Sequence, residues 1–149
     1  MFKKLFCLAL FACTATANAQ EETYYLPVHL FSQCDDDSVG QRIAYKVREG
    51  LRRSSSMTVA DRYGDSVIQM SLVCLDPSAG ENGTVSRYSY SITFLNSKGY
   101  YDYQLTHGVG NCGGRRVDEC ADGLVADIDS EIGKLKQRIG DGSFKPFDP

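Results

Sequence analysis

The chain offers little for catalysis or metal chemistry. His29 and His107 are the only histidines among 149 residues, and they stand near opposite ends of the chain. No G-x-S-x-G, H-E-x-x-H or S-x-x-K occurs after residue 19, so the common nucleophile and zinc-protease signatures are absent. A hydrolytic site would have to be assembled from a serine or tyrosine with Asp102 and His107, and nothing in their spacing fixes its geometry. No C-x-x-C pair is present, which argues against four thiolates on zinc. Asp35, Asp36 and Asp37 suggest calcium, but Val39 and Lys46 occupy two of the positions where an EF-hand needs oxygen ligands. The expectation is a protein without metal, without cofactor and without enzymatic activity.

Positive charge is also short. Sixteen basic residues face 19 acidic ones, a net charge of −3, and a nucleic-acid partner would call for a basic surface to neutralise phosphates. Apart from the nine apolar residues "LFCLALFAC" there is no long hydrophobic run, and nothing approaches the roughly 20 residues that span a bilayer. No transmembrane segment is expected.

That short run belongs to an N-terminal pattern. "MFKK" is a positive start, the apolar stretch follows, and Ala17-Asn18-Ala19 is a small-residue cleavage site; together these describe a secretory signal peptide over residues 1–19. An alternative is a lipobox, Leu10-Phe11-Ala12-Cys13, which would place a lipid anchor on Cys13, although Phe11 is bulky where a small residue is preferred. Export by a Gram-negative bacterium to the periplasm is the expected destination. Loss of Lys3 and Lys4 leaves 14 basic and 19 acidic residues, a charge of −5. Residues 20–141 suit a single domain, and 142–149, "GSFKPFDP", read as a flexible tail. Four cysteines remain, Cys34, Cys74, Cys112 and Cys120, an even number in an oxidising compartment. Of the three possible pairings, closeness in the chain favours Cys112 with Cys120, leaving Cys34 with Cys74; the other two stay open.

Periodicity then orders the elements. "TYYLPVHLF" (23–31) reads as a strand with Leu26, Val28 and Leu30 on one side. Ser38 and Gln41 fit a capping box, with Asp35 to Asp37 at the positive end of the dipole of a helix whose stripe is Val39, Ile43, Val47 and Leu51. "MTVADRY" (57–63) and "SVIQMSLVCL" (66–75) are strands parted by Gly64-Asp65, a hairpin signal. "TVSRYSYSITFL" (84–95) places Tyr88, Tyr90, Ile92 and Phe94 opposite Arg87, Ser89, Ser91 and Thr93. "YYDYQLTH" (100–107) is its hairpin partner, with Asp102, Gln104 and Thr106 on one face. A last helix carries Cys120, Leu124, Ile128, Ile132, Leu135 and Ile139 and stops at Gly140. The predicted class is α+β, a single antiparallel or mixed sheet of four to five strands with two helices packed on one face, in the order β-α-β-β-β-β-α.

Within that order "LRRSSSMTVADRYGDSVIQMSLVCLD" resembles periplasmic modules such as the N-terminal domain of TolB and the curli-secretion lipoprotein family, over about residues 43–76. The resemblance implies an accessory role in the cell envelope and carries over no functional residue. The whole chain is also similar to small exported bacterial proteins without an assigned activity.

"HGVGNCGGRR" (107–116) contains a G-x-G-x-x-G, but no strand follows its helix to complete a dinucleotide-binding unit. The milder expectation is an anion held near Arg115 and Arg116, against a simple pairing of these arginines with Asp118, Glu119 or Asp122. Arg42, Lys46, Arg48, Arg52 and Arg53 make the first helix basic, and the acidic last helix would complement it if the two lie side by side. The doublets Tyr24-Tyr25 and Tyr100-Tyr101 each place one ring on a wet sheet face, so Tyr25, Tyr100, Tyr101, Arg115 and Arg116 form the candidate binding surface. The expected function is a non-enzymatic periplasmic binding or accessory protein acting on an envelope protein partner through its sheet face or strand edge. The alternatives are a periplasmic inhibitor or immunity protein using residues 107–116 as a plug, and an unrecognised hydrolase.

Overall fold

A computed structural model describes residues 25–78, 83–95 and 102–144. The signal peptide, Cys13, Tyr24, Tyr100, Tyr101 and residues 145–149 lie outside the described residues.

The described chain folds into one five-stranded mixed sheet with two helices, an α+β structure in the predicted element order. The strands are β1 (Leu26–Gln33), β2 (Met57–Val59), β3 (Ile68–Leu75), β4 (Val85–Phe94) and β5 (Tyr103–Gly113), and the helices are α1 (Ser38–Arg53) and α2 (Val117–Gly140). Across the sheet the order is β2-β1-β3-β4-β5. β1 runs parallel to both β2 and β3, whereas β3, β4 and β5 are successively antiparallel.

The hairpin expected at Gly64-Asp65 does not form. β2 stops at Val59, a 3-10 turn occupies Tyr63–Asp65, and β2 and β3 flank β1 on opposite sides. A turn signal specifies that the chain bends, and here the apolar β1 takes the place between the two strands, its Val28 in register with both Val59 and Ile68. His29 supports this corner: its Nδ1 lies 3.2 Å from the Ala60 carbonyl oxygen and its ring meets Tyr63 edge-on.

Helix α1 begins one residue earlier than the capping box implies. Asp37, not Ser38, is the N-cap, its buried carboxylate accepting a 2.8 Å hydrogen bond from the Gly40 amide, while Gln41 Nε2 donates to the Asp35 carbonyl. Val39, Ile43, Val47 and Leu51 are buried as the four-residue spacing requires; each such side chain contributes about 1.5–3 kcal/mol relative to exposure. The two helices pack beside each other on one sheet face and enclose Val28, Leu30, Ile68, Met70, Leu72 and Ile92.

The cysteines pair as Cys34–Cys74 and Cys112–Cys120, with sulfurs at bonding distance. The first ties the end of β1 to β3 across a separation of 40 residues, the second ties β5 to α2 across 8; loop-closure entropy makes these worth about 4 and about 2.5 kcal/mol. Gly40 is required beside the first, because a Cβ there would stand 2.4 Å from Cys74 Cβ. At the other end the packed region runs on to Phe144, whose ring meets Phe94 and Tyr103 edge-on and lies under Arg138. Phe144, within the segment read as a tail, thus packs against the folded body.

Candidate binding surface

The strands alternate, so each residue on the helix-covered face has neighbours on the other. That second face is bare among the described residues. Row by row it carries Phe31, Ser71, Ser91 and His107, then Gln33, Val73, Ser89 and Val109, each set joined by register across β1, β3, β4 and β5. Arg87, Ser89, Ser91 and Thr93 are the wet face that the alternation in β4 predicts. The apolar members are unexpected: Val109 is 86% exposed, Leu75 65%, Phe31 44% and Val73 43%. Val73, Leu75, Arg87, Ser89, Val109 and Asn111 border a shallow recess of about 610 Å³. Sequence inspection missed these residues because nothing local tells a strand residue such as Val73 or Leu75 which face will be covered, and because Val109 lies in the glycine stretch that read as lying beyond the strand.

β5 shows why face assignment is delicate. A register irregularity between Ile92 and Thr93 leaves Leu105 without a partner, so Thr106 pairs with Ile92 and Gln104 with Thr93. Gln104 and Thr106 therefore lie on opposite faces, not on one as alternation implies, because a bulge inserts an extra residue and resets the period. Asp102 precedes the strand and His107 faces the open side; no hydrogen bond joins them among the described residues.

The glycine stretch is neither a nucleotide turn nor a protruding plug. Residues 107–113 belong to β5 and pair residue by residue with β4. Their glycines make room for tyrosine: a Cβ at Gly108 would stand 2.6 Å from Tyr90 Cε1, and one at Gly110 2.5 Å from Tyr88 Cζ. The two rings lie over β5 and beneath α2, where Tyr90 donates a 2.5 Å hydrogen bond to Asp127 Oδ2. Beside them a groove of about 410 Å³ opens between β5 and α2, with Tyr88, Tyr90, Glu119, Gly123 and Asp127 among its walls. Burial, the Asp127 hydrogen bond and the negative charge of Asp127 push the Tyr90 phenol up to about 12. Burial, then Asp127, also raises Tyr88.

The residues expected to form the binding surface do not gather. Tyr25 is 49% exposed just ahead of β1, on the far side of the sheet from β5. Arg115 is exposed in the short connection to α2, and Arg116 turns to Glu119 at 2.7 Å, the pairing that the sequence offers as the simpler alternative to anion binding. The basic stripe on α1 does meet the acidic helix: Lys46 Nζ lies 2.8 Å from Asp118. Its hydrogen bond and charge, aided by Arg42 and Arg53, hold the Asp118 carboxyl below the usual range. Among the described residues no group of three or more His, Cys, Asp or Glu could hold a metal ion, and no helix is long and apolar enough to cross a membrane.

Comparison with known proteins adds little. No protein-family model matches the chain, and neither does any curated protein. Among solved structures it is similar to the PelC dodecamer of Paraburkholderia phytofirmans, at TM-score 0.43 and 12% identity, covering 74% of this chain and 90% of that one. It is also similar to the hypothetical protein CT253 of Chlamydia trachomatis, at TM-score 0.39 and 5% identity, covering 78% and 96%. Neither likeness is close enough to transfer a function, and neither bears on the resemblance of residues 43–76 to TolB and the curli-secretion lipoproteins.

Proposed function

We propose that the protein is a non-enzymatic binding module of the bacterial cell envelope, exported to the periplasm, which acts on another envelope protein through the bare face of its sheet. The observation that carries this is the exposure of Phe31, Val73, Leu75 and Val109 on one face that no helix covers among the described residues. Apolar side chains gathered on one side of a monomer mark an interaction surface more often than chance. Two disulfides suit an oxidising compartment, and the resemblance of residues 43–76 to envelope modules points the same way.

The test is site-specific photocrosslinking in the producing cell, with the reactive side chain placed at Val73 or Val109, and at Gln137 on the outer side of α2 as control. A single crosslinked species from the sheet positions and none from Gln137 is the expected result. Equal labelling from all three positions, or none from any, overturns the assignment of this face. Osmotic-shock release of a chain shortened by residues 1–19 checks the compartment.

A further inference from the structure

The two edges of the sheet are unequal. β2 closes one side with three residues, while β5 closes the other with eleven, its inner edge paired to β4 and no strand on its outer edge among the described residues. A long bare edge is a template for another strand, and proteins usually shorten, charge or cover it. Here it is left open among the described residues, with α2 tied to the end of β5 through Cys112–Cys120. The Tyr90 and Tyr88 rings occupy the space over Gly108 and Gly110, while a Cβ on Gly123 would meet nothing within 4 Å; the groove beside the rings is bordered on the β5 side by Val109, Asn111 and Gly113.

A strand added to β5 would point alternate side chains into that groove, roughly 7 Å apart. The spacing matches the floor, since Tyr88 and Tyr90 are themselves two residues apart on β4. The charge of the wall selects what enters. Arg116 is engaged by Glu119, which leaves Asp127 as the carboxylate beside the rings, with Glu131 close enough to add to the negative field on Tyr90. Ring faces flanked by a carboxylate favour a cationic side chain through cation–π and charge-assisted contacts.

We infer that the outer edge of β5 takes an extended segment of a partner polypeptide as a sixth strand, with a lysine or arginine side chain lodged over Tyr88 and Tyr90 against Asp127. This rests on the protein being a binding module and adds the chemistry of one partner segment, in a groove that adjoins the bare face at Val109 and Asn111.

The test uses the mature, disulfide-bonded protein and end-blocked peptides of roughly seven residues, alternating threonine and valine, with lysine, glutamate or norleucine at the centre. Binding is followed by amide chemical shifts. The lysine peptide is expected to shift amides of residues 103–113 and Gly123 and to bind about tenfold tighter than the glutamate peptide. Methylating its backbone nitrogens on the edge facing β5 is expected to abolish binding. Asp127→Asn, which keeps the partner for the Tyr90 hydroxyl, is expected to remove the preference for lysine while leaving the remaining spectrum folded. Absence of shifts on β5 at millimolar peptide, equal binding of the lysine and glutamate peptides, or an unaffected Asp127→Asn variant overturns the inference. So does protection of the β5 edge by a second copy without peptide, or occupation of the groove by a soluble oligosaccharide in place of peptide. Failure here with crosslinks at Val73 intact removes the groove and keeps the module; loss of both removes the module.

Discussion

The two faces of this sheet are built from the same strands, yet one is an apolar core and the other a surface that mixes polar residues with a few exposed apolar ones. In β3, Leu72 is fully buried while Val73, the next residue, is 43% exposed. In β4, Tyr88 and Tyr90 lie beneath α2 while Ser89, between them, faces the open side. Hydrophobicity separates most positions but not Phe31, Val73, Leu75 and Val109, which are apolar and exposed. For these the separation comes from where the two helices sit, since they lie outside the helices' cover.

The sharpest way to break this contrast is to truncate the two neighbours in β3. Leu72→Ala is expected to cost about 2–5 kcal/mol in urea unfolding, the range for a buried leucine that leaves a cavity. Val73→Ala should stay within about 0.5 kcal/mol while weakening the crosslink from the bare face. Comparable losses at both positions would mean that the second face is also covered in the native protein.

Next in size is Gly40→Ala. Its new Cβ meets Cys74 Cβ at 2.4 Å, an atom held by a disulfide and unable to swing aside, so a loss of about 1–3 kcal/mol is expected from overpacking. Gly123→Ala is the counterpart at the groove, where nothing lies within 4 Å. It is expected to gain about 0.5–1 kcal/mol, because alanine suits a helix interior better than glycine, and calorimetry of both variants gives the comparison directly.

The smallest effect concerns protons. Tyr90, with its phenol near 12, is expected to remain protonated when exposed tyrosines have titrated near 10, as followed by carbon NMR of the ring. The sign follows from the raised value: the contribution to stability is complete below about pH 10 and is lost as pH climbs towards 12. Asp127→Asn removes the adjacent negative charge and should bring the Tyr90 midpoint down. An unchanged midpoint would show that burial alone sets it.

Much of the architecture was legible in local pattern. The four-residue stripe of α1, the alternation of β4 and the three-and-four spacing of α2 each identify an element and its buried side, because one face of each must leave water. Nearness in the chain favoured Cys112 with Cys120, eight residues apart, but left two other pairings open, and the structure decides for the favoured one. The hairpin at Gly64-Asp65 misled because a turn residue fixes a bend and says nothing about which strand comes to lie alongside. Gln104 and Thr106 were placed on one face because a bulge is invisible to a two-residue period. The tyrosine doublets drew attention, yet Tyr25 lies far from β5 and Tyr100 and Tyr101 fall outside the described residues.

Composition and spacing were therefore enough for the class of fold, the two helices, the core-facing residues of β3 and β4, and the absence of the common catalytic signatures, since each depends on neighbours within a few residues. Tertiary structure alone decided that Gly108 and Gly110 clear a path for Tyr90 and Tyr88, that Asp127 comes to their rings, and that Val73 and Val109 share an uncovered row. Those relations join β3, β4, β5 and α2, and they exist only when the fold brings together residues 18 to 39 positions apart.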